Sequence, residues 1–245
     1  MNTLQPFDLS KQQNITTLAQ EPDNFMSSEF NLLFMGNSHS SSHNLPQLVA
    51  KLIKTDQPNA QVHTKLASGY HFLDERLQHR PSTNLLRDGN WSHVILQAQK
   101  YSTTGKYFYP TDAAEEWIKR INSKNSQAIM FPEWPRRGNK EEAARIHQLH
   151  IGIAKAASAC VAPIGLAWQL ALQQNPKLKL HSADGNHSNL DGAFLTALVL
   201  YGTITKNDPS KLNAINGIKV SINTQTELKR VASATLLQHA ACFTN

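Results

Sequence analysis

The chain has 245 residues, 40% hydrophobic and 17% charged, with a formal net charge of +6 and a pI near 9.3. That length and polarity suit one large domain or two small ones with a substantial core, and no apolar run reaches the length of a membrane-spanning helix. The basic residues are scattered, Arg136 and Arg137 forming the densest pair, so a mildly basic solvated surface is expected rather than a nucleic-acid face.

Residues 1–28 are polar without clear periodicity and read as an N-terminal arm. They hold no apolar segment of the signal-peptide type, which leaves cytoplasmic residence and export with the leader absent both open. A first strand is predicted over 29–35. Its apolar run Leu32-Leu33-Phe34-Met35 stops at Gly36, and Asn37, Ser38, His39 and further serines follow. Asn44, as a cap, and Pro46, in the first turn, open a helix with Leu48, Val49, Leu52 and Ile53 on its apolar face. A second strand over 61–67 alternates Val62, Thr64 and Leu66 and ends at Ser68-Gly69.

A short helix over 71–78 and a short polar helix before Asp88-Gly89-Asn90 lead to a third strand, 92–96, which runs into Gln97-Ala98-Gln99. A helix over 112–122 buries Ala114, Trp117, Ile118 and Ile121. A fourth strand, 127–131, is ended by Pro132-Glu133-Trp134-Pro135. Then come a long helix (140–158), a short fifth strand (159–164), a helix (166–174), a loop (178–188), a strongly apolar helix (189–204), a small extra strand (218–222) and a final amphipathic helix (224–241). Strands alternating with helices imply a parallel sheet covered on both faces, an α/β architecture with every strand's carboxyl end on one edge. With no repeat and no long linker, residues 29–245 are read as one domain.

Cys160 and Cys242 lie in no CxxC or metal-type spacing, and two buried free thiols are expected. His147 and His150 sit three apart on a helix without a carboxylate partner or an HExxH pattern, so they read as surface or partly buried helix residues and not as metal ligands.

The chemistry-bearing residues are Ser38, two positions past the first strand, and Asp184 and His187, three apart in a glycine-containing loop before a helix. A serine hydroxyl is a weak nucleophile. It needs a base for its proton, and the base needs a group that sets its tautomer. Serine, histidine and aspartate are those three types. Oxyanion donors are also required: the Ser38 N–H, the Gly69 N–H, and a side-chain amide after the third strand, from Gln99 or Gln97.

On these blocks the chain resembles the SGNH-type, or GDSL-like, hydrolases. The first block is Gly36-Asn37-Ser38-His39-Ser40, the second Ala67-Ser68-Gly69-Tyr70, and the last Asp184 to His187. Two departures stand out. Asn37 occupies a position where aspartate is common, and Gln97-Ala98-Gln99-Lys100 replaces GxND, with Gln99 at the asparagine position. The resemblance implies a three-layer α/β/α fold, a flavodoxin-like doubly wound parallel sheet of about five strands. It also implies a catalytic triad of Ser38, Asp184 and His187, an oxyanion hole of Ser38, Gly69 and Gln99, and hydrolysis of an ester through an acyl-enzyme. No metal or organic cofactor is implied, and the partner would be a small-molecule or carbohydrate ester, with no nucleic acid and no membrane. Glu133 and Trp134, with Arg136 and Arg137, follow the fourth strand on the same edge, where they either shape the substrate pocket or form a surface turn. The altered third block favours an alternative: a non-catalytic protein on the same scaffold that binds a glycan or another polar ligand.

Overall fold

The first strand, β1 (Glu29–Met35), buries Leu32, Leu33, Phe34 and Met35 completely, because both faces of the sheet are covered. Successive side chains point to opposite faces. Leu32 and Phe34 therefore join one hydrophobic core, and Leu33 and Met35 join another. This is a computed structural model, and it describes residues 28–242. Apart from Ser28, whose carbonyl accepts the Gln61 N–H, the expected arm at 1–28 lies outside the described residues.

β1 pairs with β2 (Gln61–Leu66) on one side and β3 (His93–Leu96) on the other. β4 (Gln127–Met130) and β5 (Cys160–Val161) extend the sheet to the order β2-β1-β3-β4-β5, parallel throughout. The predicted doubly wound α/β arrangement is the one observed. Strand order reverses beside β1, so the crevice at the carboxyl ends of β1 and β3 is where such a sheet receives a ligand.

Helices α2 (Leu45–Asp56), α7 (Ile164–Gln174), α8 (Leu190–Thr205) and α9 (Ile222–Gln238) cover one face. Helices α3 (Leu73–Gln78), α4 (Arg80–Asp88), α5 (Asp112–Asn122) and α6 (Glu142–Ala157) cover the other. The eighth helix is apolar nearly all round and is buried from Gly192 to Ile204, the pattern of an interior helix.

Several local expectations are corrected. The loop after β1 is helical: α1 (Ser38–Ser41) and a 3-10 turn (Ser42–Asn44) precede the second helix. Asn44 is left-handed and makes no side-chain cap, because the chain reaches the second helix through that turn rather than from an extended segment. The small strand expected over 218–222 is absent. Ser221 instead caps the ninth helix by accepting the Thr224 N–H. His147 and His150 are buried on the sixth helix, and burial pushes both imidazoles down to about 4.

The two cysteines are also corrected. Cys160 and Cys242 form a disulfide across 82 residues of sequence, with their Cα atoms 4.2 Å apart. The C-terminal segment returns to β5, where the Ala241 carbonyl accepts the Val161 N–H. That approach is tertiary, and no local spacing encodes it.

Candidate active site

Gly36 ends β1, and its lack of a side chain is needed. A Cβ there would stand 2.2 Å from Ser40 Oγ and 2.3 Å from Gln97 Oε1. Asn37 then caps the first helix. Its side-chain oxygen accepts the His39 N–H at 3.1 Å, and its carbonyl accepts the N–H groups of Ser40 and Ser41. A neutral amide thus performs the capping that the more common aspartate would. Ser38 is presented half-buried at the carboxyl edge of the sheet. Gly36→Ala is expected to lower stability by about 1–3 kcal/mol through overpacking, seen as a lower denaturant midpoint at unchanged slope. An unshifted midpoint would show that Gln97 and Ser40 can move aside.

Ser38 and His187 meet across 149 residues: Ser38 Oγ lies 2.8 Å from His187 Nε2. His187 Nδ1 lies 2.5 Å from Asp184 Oδ2. Asp184 is acceptor-only when ionised, so the Nδ1–H donates to it and Nε2 is left to accept the Ser38 hydroxyl proton. The second oxygen of Asp184 is spent on its own turn, accepting from the Ser182 hydroxyl, the Asn186 N–H and the His187 N–H. The bond from His187, followed by those from Asn186 and Ser182, holds this carboxyl well below the usual carboxylate range.

Three tethers fix the loop. Trp134 Nε1–H donates to the Asn186 carbonyl at 2.8 Å, the Arg137 N–H donates to the Gly185 carbonyl at 2.9 Å, and His181 bridges to Ser188.

Gln99 does not reach Ser38, which corrects its expected place among the oxyanion donors. Its amide donates to the Lys100 and Pro110 carbonyls, and both hydrogens are spent there. The cause is Ala98, which is left-handed at φ 75 and turns the chain after β3. Gln97 faces the site instead, with one of its two amide hydrogens committed to Glu133. Its Oε1 accepts the Asn37 N–H at 2.7 Å and the Ser40 hydroxyl at 3.0 Å, and its Nε2 donates to Glu133. The Gly69 N–H has no acceptor among the described residues, and the residue is left-handed at φ 78.

Glu133 and Trp134 are corrected from rim to support. Trp134 is buried, stacked on Trp168 at 4.5 Å beneath the Asp184 loop. Glu133 is nearly buried among Gln97, Tyr101 and His39. His39, which the sequence reading passed over, stacks on His187 at 5.0 Å and packs edge-on against Trp134. Burial lowers its pKa, so it is a neutral wall behind His187. Arg76 was likewise missed. It is fully buried, and its guanidinium donates to the carbonyls of Gly36, Ser68 and Gly69. Adjacency to Ser38 could have flagged His39, whereas an arginine in a six-residue helix carries no such signal.

No family model matches the chain, and no curated protein matches it in sequence. Solved structures do match in shape. A DUF4886 family protein from Bacteroides uniformis superposes with a TM-score of 0.66 at 14% identity, covering 89% of this chain and 98% of its own. A candidate SGNH hydrolase from Slackia heliotrinireducens gives 0.59 at 19% identity, covering 71% and 98%. An acetylxylan esterase from Geobacillus stearothermophilus gives 0.55 at 14% identity, covering 74% and 96%. By sheet order, layering and these superpositions, the chain has the three-layer α/β/α fold of the SGNH, or GDSL-like, hydrolases.

Proposed function

We propose that the chain is a serine esterase of the SGNH type, acting through an acyl-enzyme. The observation that carries the reading is the continuous line of hydrogen bonds from Ser38 Oγ to His187 Nε2 and from His187 Nδ1 to Asp184 Oδ2. In this mechanism His187 takes the Ser38 proton as Oγ attacks the ester carbonyl. Asp184 stabilises the imidazolium, and His187 returns the proton to the leaving alcohol. Water, deprotonated by His187, then releases the acid. The developing oxyanion is received by the N–H groups of Ser38 and Gly69, two donors where the family pattern has three. Loss of one such donor costs roughly 2.7–4 kcal/mol of transition-state stabilisation, which slows an esterase without disabling its triad.

A small acyl or acetyl ester, carried on a carbohydrate, is the substrate class we favour. Its support is the structural likeness to an acetylxylan esterase and a set of exposed aromatics, Tyr70, Tyr107 and Phe108, on the loops that follow β2 and β3. The engagement of Gln99 elsewhere favours the second reading, a non-catalytic glycan or polar-ligand binder. One experiment separates the two. The wild type is expected to hydrolyse p-nitrophenyl acetate and to take a fluorophosphonate label on Ser38. Absence of both turnover and label would leave the binding protein.

A further inference from the structure

A buried guanidinium normally has a carboxylate beside it, and Arg76 has none. It is fully buried, none of the ion pairs among the described residues includes it, and its Nε is without a partner. Its acceptors are neutral: Nη1 donates to Ser68 O at 3.1 Å and Ser82 Oγ at 2.7 Å, and Nη2 donates to Gly36 O at 2.5 Å and Gly69 O at 2.8 Å. Burying an unpaired cation is costly. As staples between two loops, neutral donors would serve as well without that cost. The charge therefore needs a reason beyond tethering.

The bonds to Ser68 O and Gly36 O supply one. Ser68 C=O and Gly69 N–H belong to a single peptide unit. In a trans peptide the two point in opposite directions, so a guanidinium holding the oxygen aims the Gly69 N–H to the side away from Arg76. It also draws electron density from that peptide, making the N–H a stronger donor. Through Gly36 O the same side chain ties down the turn that carries Ser38.

We infer that Arg76 is the positioning residue of the oxyanion hole, taking over through the Ser68–Gly69 peptide the part that Gln99 does not play. The inference rests on the serine-esterase reading. Its physical content is differential stabilisation. In the resting site the Arg76 charge is uncompensated, and its counter-charge arises only when the tetrahedral oxyanion forms.

Arg76→Gln removes the charge but keeps a donor, and Arg76→Lys keeps the charge but loses the fork. With p-nitrophenyl acetate, Arg76→Gln is expected to lower kcat on the order of 10- to 100-fold, up to the lower limit of what outright loss of an oxyanion donor costs, with KM within about threefold. Arg76→Lys should fall between that variant and the wild type. Each variant is assayed below its own melting temperature. A kcat within twofold of wild type in folded Arg76→Gln, or a fall explained by the unfolded fraction alone, would overturn the inference and leave the esterase standing. A wild type with neither turnover nor label would sink both. Should neither variant fold, the wild type still decides: phosphonylation of Ser38 should move the Gly69 amide proton downfield, and an unmoved resonance would overturn the role of Arg76.

Discussion

Ser38→Ala and His187→Ala are each expected to lower kcat for a short-chain nitrophenyl ester on the order of 10⁴- to 10⁶-fold, with little further loss in the double variant. The non-additivity follows from the mechanism. Ser38 is unreactive without a base 2.8 Å from its Oγ, and His187 has no proton to take once that hydroxyl is gone. Neither change should unfold the protein, since Ser38 is half-buried and the His187 side chain is 36% exposed. The comparison is a steady-state assay on variants with matched melting curves. Single variants that retain a tenth of wild-type activity would remove Ser38 from the reaction.

Asp184→Asn is expected to cost about 10⁴-fold in kcat with the fold intact. Asp184 has two jobs on two oxygens: Oδ2 accepts from His187 Nδ1, and Oδ1 accepts from Ser182, Asn186 and the His187 backbone. An amide has one oxygen. If that oxygen keeps the turn, the NH₂ faces His187 and selects the tautomer protonated on Nε2, which cannot accept from Ser38. If it turns to His187, the loop loses three acceptor bonds. The sign of the pH dependence also follows. The folded-state pKa of Asp184 lies below its unfolded value, so its stabilising contribution is present above the ordinary carboxylate range and is lost as pH falls through the depressed value. The melting-temperature gap between wild type and Asp184→Asn should therefore be widest near neutrality and close in strong acid. A gap independent of pH would mean that the Asp184 charge does not hold the loop.

Much of the architecture was legible locally. Leu32 to Met35, followed at once by Gly36, reads as a buried strand stopped at a tight turn, and the structure has that strand. The spacing of Trp117, Ile118 and Ile121 likewise marks a helix lying on a sheet. The Asp184–His187 turn was readable because its bonds span three residues.

What failed did so where a long-range contact overruled a local pattern. Trp134 and Glu133 follow a strand like rim residues, yet the Asp184 loop closes over the tryptophan and the glutamate is drawn in among Gln97, Tyr101 and His39. Gln99 occupies the expected alignment position, but the left-handed Ala98 exchanges its direction with that of Gln97. The thiols of Cys160 and Cys242 meet only because the last helix returns the chain to β5.

By itself the sequence determined the elements, their alternation, and the three residue types that acyl-transfer chemistry needs, since propensity, periodicity and side-chain chemistry act over a few neighbouring positions. Only the tertiary structure decided which side chains converge. It brought Ser38 to His187, spent the Gln99 amide elsewhere, and set the unpaired charge of Arg76 behind Gly36 and Gly69. The physical reason is that hydrogen-bond direction and burial are properties of the packed chain, settled by partners far apart in sequence, as Ser38 and His187 are across 149 residues.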